Sequence, residues 1–299
     1  MLQLKTAGYN ALGALRSEGK IPGGWSTMEE LRLMADEGVA RFLEKRFEVS
    51  GELGGVFLAN ELLDRALRTS ESEYMDKPGV PDSERLMMVQ ALDRQNGMMG
   101  LYGRYVAILL PLIREVAERE QREVRVLELA CGAGGLSLAL GEEVLRLGMR
   151  VSITGSDVVP AFVEDGNVLA AEKKLAVSFR VLDAFTMEGL GDGAFDIVVM
   201  SQSMHHFTPG QLAVIIAQSA RHASTAFVGI DGYRSLLLAG GVPLIAGLQG
   251  IGAFALDGFT SARKFYSEME LDIIAGIATG NNDHVVSCSW PFSVLIVKF

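Results

Sequence analysis

Residues Val126–Gly135 read VLELACGAGG. An apolar run carries a single acid, Glu128, and then breaks into small residues. The run predicts a buried strand. The glycine-rich turn after it predicts entry into a helix whose first backbone N–H groups face a ligand. Glycines there let the backbone approach that ligand closely. A GxGxxG fingerprint would use such a turn for a pyrophosphate. Counted from Gly132, however, the third glycine position is Ser137. Glu128 would also repel a phosphate. A carboxylate at that point suits a cationic amino acid group, held directly or through water.

On either side of this stretch the chain changes character. Residues 1–120 carry apolar residues at helical spacing, as in MEELRLMADEGVARFLEKRF, where Ser26 or Thr27 can cap the helix. Gly51 to Gly55 marks a break, and YMDKPGVPDSE is a loop. From residue 121 to 299, short apolar runs alternate with helical patterns: VRVLELA, VSITGSD, VSFRVLDA, FDIVVMSQ and TAFVGID. That alternation predicts βαβ units and a parallel sheet. The closing HVVSCSWPFSVLIVKF has two strand-like runs around Pro291 and predicts a hairpin.

Composition narrows the function classes. The 299 residues are 49% hydrophobic and 21% charged, ordinary for a globular protein, with a net charge of -10. That field works against nucleic-acid backbones and anionic membranes as partners. Two cysteines, Cys131 and Cys288, make no disulfide framework and no metal-ligand spacing, which fits a reducing cytoplasm. The first residues lack the layout of a signal peptide. Ser235 to Leu256 has no charged residue and is long enough for a membrane span, but it holds five glycines and Pro243. It is expected to be a buried or lid-like pair of short helices within an apolar insertion at 235–265. A weak lipid or membrane contact through 235–256 is the alternative.

With these residues in view, VLELACGAGG resembles motif I of the class I S-adenosylmethionine-dependent methyltransferases. Ala130 stands where that family places its first glycine. Three further positions are similar, in order: Asp157 ending VSITGSD, Asp183 in VLDAF, and the FDIVVMSQSMHHF exit from a fourth strand. The resemblance implies an α/β, Rossmann-like fold: a seven-stranded, mostly parallel sheet with a C-terminal antiparallel hairpin. A helical N-terminal cap over residues 1–120 would shape the acceptor site, and residues 121–299 would form the donor-binding domain. The implied cofactor is S-adenosyl-L-methionine. Its site would draw on Glu128, Ala130, Cys131, Gly132, Gly134 and Ser201, with Asp157 and Val158 at the ribose. Asp183, Ala184 and Phe185 would lie at the adenine, and Arg104 at the carboxylate end. The YMDKP segment and the following RQNGMMGLYGRY are similar to a secondary-metabolism subgroup.

His205 and His206 are two of only four histidines and sit side by side on that exit loop. One of them acting as general base competes with a packing or donor-lining role, and with metal binding, for which no third ligand is evident in sequence. Tyr233 and Arg234, after the fifth strand, are candidate acceptor-lining residues. The exit loop reads SQSM and lacks an NPPY-type motif, which argues against adenine or glutamine amino groups as acceptors. A small, hydrophobic acceptor is expected, with O-methylation ahead of C- or N-methylation, no resident metal, and a monomer or homodimer. Two other functions remain open: a donor-binding protein without methyl transfer, and an NAD-type oxidoreductase, whose clean GxGxxG is missing here.

Overall fold

The computed structural model describes residues 2–247 and 252–299. Seven strands form one sheet in the order β3-β2-β1-β4-β5-β7-β6. They are β1 (Val124–Leu129), β2 (Val151–Asp157), β3 (Val177–Val181), β4 (Phe195–Ser201), β5 (Ala223–Gly232), β6 (His284–Ser289) and β7 (Phe292–Lys298). The β1–β2, β1–β4, β2–β3 and β4–β5 pairs are parallel. The last two strands form the expected antiparallel hairpin, and the Trp290-Pro291 bond between them is cis. The chain divides into two compact units.

One unit comprises residues 75–203, 218–230 and 296–299. It holds strands β1 to β4 and most of β5, with helices α4 (Asp82–Met98), α5 (Leu101–Glu120), α6 (Gly135–Arg146) and α7 (Pro160–Glu172). Helices α4 and α5 therefore join the sheet, and the first boundary between units falls after residue 74. Parallel strands are covered on both faces, so β1 is mostly apolar despite Arg125 and Glu128; Val126, Leu127 and Leu129 are buried. The turn after β1 needs left-handed backbone at three places. Gly132 and Gly134 supply it freely, with φ of 53° and 78°. Ala130 adopts it at φ 50°, with a Cβ that disfavours that region. Phe179 of β3 packs close to Gly134, Gly155 and Gly166, and a Cβ at any of the three would run into its ring.

The other unit comprises residues 1–74, 204–217 and 231–295. It contains α1 (Leu2–Ser17), α2 (Met28–Leu53), α3 (Gly55–Leu67), α9 (Leu236–Gly247), α10 (Gly252–Lys264) and α11 (Glu268–Thr279). Most of α8 (Pro209–His222) lies here too. Thr27 caps α2 by accepting from the Glu30 N–H, and the break expected near Gly51–Gly55 occurs at Gly54. The apolar stretch from Ser235 forms the two short helices α9 and α10. Residues 248–251, within the expected insertion, lie outside the described residues. Among the described residues no helix is long and apolar enough to cross a membrane.

A buried ion network ties α2, α3 and α11 together. Asp64 of α3 accepts from Arg46 at 2.6 Å, Arg68 at 3.2 Å and Arg234 at 2.8 Å. Arg46 also meets Glu61 at 2.7 Å, and Arg68 meets Glu270 at 2.7 Å. Burial alone would push the Asp64 carboxyl up. The Arg68, Arg234 and Arg46 guanidinium groups outweigh it and hold the carboxyl well below the usual carboxylate range. Removing one partner from such a cluster strands the others without water.

Asp64→Ala is expected to cost roughly 3–5 kcal/mol of stability, measured as a lower urea midpoint or Tm. A change within experimental error would show that the network does not carry this load. Ala130→Gly is expected to stabilise the protein by about 0.5–1 kcal/mol, because it relieves left-handed strain that exceeds the entropy glycine adds to the unfolded chain. Thermal unfolding of the two proteins side by side reads that gain.

Candidate functional site

At the C-terminal end of the parallel strands, one unit gathers most of the residues expected to meet the donor. Glu128 is 2% exposed. Its two oxygens accept hydrogen bonds from the Ser137 hydroxyl at 2.6 Å and the Ser201 hydroxyl at 2.8 Å. Ser137 is the residue that breaks the dinucleotide fingerprint, and here it satisfies the acid that made that fingerprint improbable. Burial pushes the Glu128 carboxyl up to about 7; the two serine hydroxyls pull it down without overcoming burial. No cation among the described side chains forms an ion pair with it within 4 Å. The site thus holds a carboxyl that an incoming positive group would convert to its charged form.

Asp157 braces the turn. Its Oδ2 accepts from the Gly132 N–H at 3.0 Å and its Oδ1 from the Val159 N–H at 3.1 Å. Val158 beside it is exposed. The Ser203 hydroxyl donates to the Ala130 carbonyl at 3.1 Å and so fastens the exit of β4 to the same turn. Asp183 is exposed and accepts from the Phe185 N–H at 2.7 Å; Ala184 is buried and Phe185 half-buried. Cys131 lies in the turn with its thiol pushed well up by burial and by Glu128 and Asp157, so it does not serve as a nucleophile.

A polar network reaches the start of α6 from α4 and α5. The Tyr102 hydroxyl donates to Asp93 at 2.6 Å, and the Asn96 amide donates to Gln202 at 3.3 Å. Gln202 in turn donates to the Tyr105 hydroxyl at 2.6 Å. A Cβ at Gly135 would strike both Asp93 and Tyr102, so this glycine permits the close approach. Tyr102 and Tyr105 flank Arg104, the residue the sequence points to, on the helix before β1. Asp93, Asn96 and Gln202 carry no comparable signal, although Asn96 is a buried polar residue. Arg104 is half-buried on α5.

The expected catalytic pair lies in the other unit, on a short 3-10 turn (Met204–His206). His205 is buried, with Nδ1 at 2.9 and 3.0 Å from the Asp231 carboxylate and Nε2 at 3.3 Å from Glu73. Burial disfavours its charged form, but Asp231 and Glu73 prevail and raise its pKa to about 10. Burial also works against charge on Glu73, yet His205, His206 and Lys264 hold its carboxyl down at about 2. His205 is therefore an imidazolium at neutral pH and cannot accept a proton. His206 is less buried; its ring centroid lies 4.4 Å from that of His205, and its Nε2 is 3.8 Å from Glu73. Glu73 is the partner that sequence alone left out: nothing local in TSESEYMDK distinguishes it from its acidic neighbours.

Tyr233 and Arg234 line a crevice with Lys5, Ser235 and Glu268. Arg234 has little left to offer a ligand. Its guanidinium donates to Asp64 and to the carbonyls of Arg263 and Phe265, and its side chain is 7% exposed.

Residues 126–225 match the family model described as a methyltransferase domain. A search of curated proteins finds no match. Solved structures share the fold at low identity. The plantazolicin methyltransferase BpumL, in complex with SAH, aligns with a TM-score of 0.54 and 10% identity over 80% of this chain and 96% of that one. A candidate O-methyltransferase from Nostoc punctiforme PCC 73102 aligns at 0.53 and 15% over 85% and 72%. The plantazolicin methyltransferase BamL, in complex with a triazolic desmethylPZN analog and SAH, aligns at 0.50 and 14% over 69% and 71%. The matched segment runs from β1 to the start of β5, and over it the chain is similar to a methyltransferase domain.

Proposed function

We propose that this enzyme transfers the methyl group of S-adenosyl-L-methionine to a small apolar acceptor, with a hydroxyl oxygen as the leading acceptor atom. The acceptor oxygen attacks the sulfonium methyl in line, the C–S bond breaks, and the sulfur leaves as a neutral thioether. Charge disperses in that step, so alignment and removal of the hydroxyl proton are the main demands on the protein. The observation that carries the donor assignment is Glu128: a buried carboxyl with a pKa near 7 and no ion-pair partner among the described side chains, placed just before the glycine turn. The ammonium of the donor's amino acid end supplies the missing charge. Asp157 with Val158 is assigned to the ribose, Asp183 with Ala184 and Phe185 to the adenine, and Arg104 to the carboxylate.

Of the histidine pair, His206 is assigned to proton removal, since His205 is held charged. Tyr233 is retained as an acceptor contact, whereas Arg234 is a structural member of the ion network. The uncharged α9 and the SQSM exit loop favour an apolar acceptor over an amino group of adenine or glutamine. Two of the fold neighbours hold SAH, and one of them holds a small-molecule analog as well. The unpaired Cys131 and Cys288 accord with a cytoplasmic enzyme.

Isothermal titration is expected to show micromolar binding of S-adenosylmethionine or S-adenosylhomocysteine; a folded sample that binds neither overturns the assignment. Binding should expel a proton at pH 6, where the free Glu128 carboxyl is mostly protonated, and none at pH 8.5, where it is already charged. Titrations in buffers of different ionisation heat read that difference. Glu128→Gln should abolish the release and weaken binding about tenfold or more, which corresponds to about 1.4 kcal/mol. Asp157→Ala should weaken donor binding more than His206→Ala does, and the reverse order would refute the division between donor and proton-transfer residues.

A further inference from the structure

Glu73, His205 and His206 each turn one ligand atom toward the others, all within 4.8 Å. Glu73 is 3% exposed and His205 6%. The Nε2 of His205 and the Oε1 of Glu73 stand 3.3 Å apart as an ion pair. Two donors bound at about 2.0–2.1 Å to one tetrahedral ion stand roughly 3.3 Å apart, which is the separation here. His206 Nε2 lies 3.8 Å from the other Glu73 oxygen and completes a third corner.

The surroundings agree. Asp231 holds the far ring nitrogen of His205, with Nδ1 within 2.9–3.0 Å of both carboxylate oxygens, and also accepts from the His205 backbone N–H at 2.9 Å. That contact keeps a proton on Nδ1 and aims Nε2 at Glu73, the arrangement in which a carboxylate orients a metal-bound imidazole; an arriving ion takes the place of the Nε2 proton. The Phe265 ring closes one side, edge-on to His205 at 5.0 Å. Lys264 Nζ lies 3.6 Å from Glu73 Oε1. It provides the positive charge that an ion would bring, and it is the group an arriving ion must displace.

We propose that Glu73, His205 and His206 form a binding site for a divalent first-row transition ion of the zinc type. The ligands are Nε2 of both histidines and the Glu73 carboxylate, and the fourth place is left to an oxygen from outside the protein. Two imidazoles and one carboxylate suit zinc, cobalt or iron(II) better than magnesium or calcium, which prefer all-oxygen shells. An oxygen in the fourth place would have its proton acidified by the ion; in the ion-bound form His206 is a ligand, and this acidification replaces its part in proton removal. The site itself does not rest on methyl transfer, and its readout is metal content.

The full-length protein, stripped with a chelator and dialysed, is offered Zn2+, Co2+ or Mg2+ and assayed for bound metal by mass spectrometry. The expected result is one zinc or cobalt per chain, no retained magnesium, and visible absorption bands of low-coordinate cobalt. Glu73→Gln and His206→Ala should each weaken zinc binding at least tenfold, and Lys264→Met should tighten it several-fold. His222→Ala, a histidine outside the cluster, should leave it unchanged. Circular dichroism confirms that each variant is folded. Zinc held equally well by the wild type, Glu73→Gln and His206→Ala, or not held at all, overturns the proposal, as does weaker binding in Lys264→Met.

Discussion

A carboxylate buried at the end of a central parallel strand must find its partners inside the protein, and Glu128 imposes that demand on the unit that holds it. Ser137 answers from α6 and Ser201 from β4, so one side chain links a helix and two strands around the glycine turn. Asp157 then fixes the turn from β2, and Ser203 fixes it from the exit of β4. The backbone of the turn is thereby held in place by the protein's own groups. Preorganisation of this kind lets binding energy go into selecting the ligand instead of ordering the loop.

Glu128 and Glu73 show how partners alone set the charge of a buried acid. Both are nearly inaccessible, at 2% and 3% exposure. Glu128 is surrounded by hydroxyls and is pushed up toward neutrality; Glu73 is surrounded by His205, His206 and Lys264 and is driven down. Hydroxyl donors offset desolvation only in part, whereas full positive charges overcome it. The first acid is thus poised to receive a cation, while the second already has several.

Much of this was legible in sequence, and the part that was not has a common cause. Each strand announces itself as a short apolar run, the hairpin is marked by Pro291, and the α2–α3 break is marked by glycine, because these signals are local. Glu128, Asp157 and Asp183 stand at or just past strand ends, places that the apolar runs mark in advance. Glu73 does not. It sits in an acidic stretch before a loop and meets His205, His206 and Lys264 only through the tertiary fold. Arg234 illustrates the reverse case. Its place after β5 suggests an acceptor contact, but Asp64 on α3 claims its guanidinium, and no local pattern records that pairing. Ala130, a departure from the family pattern visible in sequence, keeps the left-handed geometry that glycine would supply more cheaply.

The Phe179 ring has a further consequence. Gly134 in the turn, Gly155 on β2 and Gly166 on α7 are all held to a hydrogen side chain by this one aromatic group. Three positions on three elements therefore share a single steric account, and none can change alone. A smaller residue at 179 would free space at all three, but Gly134 stays tied to glycine by its left-handed backbone and Gly155 still faces the Cys131 sulfur at 3.2 Å, so Gly166 is the position that such a change releases. The ring works as a gatekeeper of sequence variation as much as a packing element.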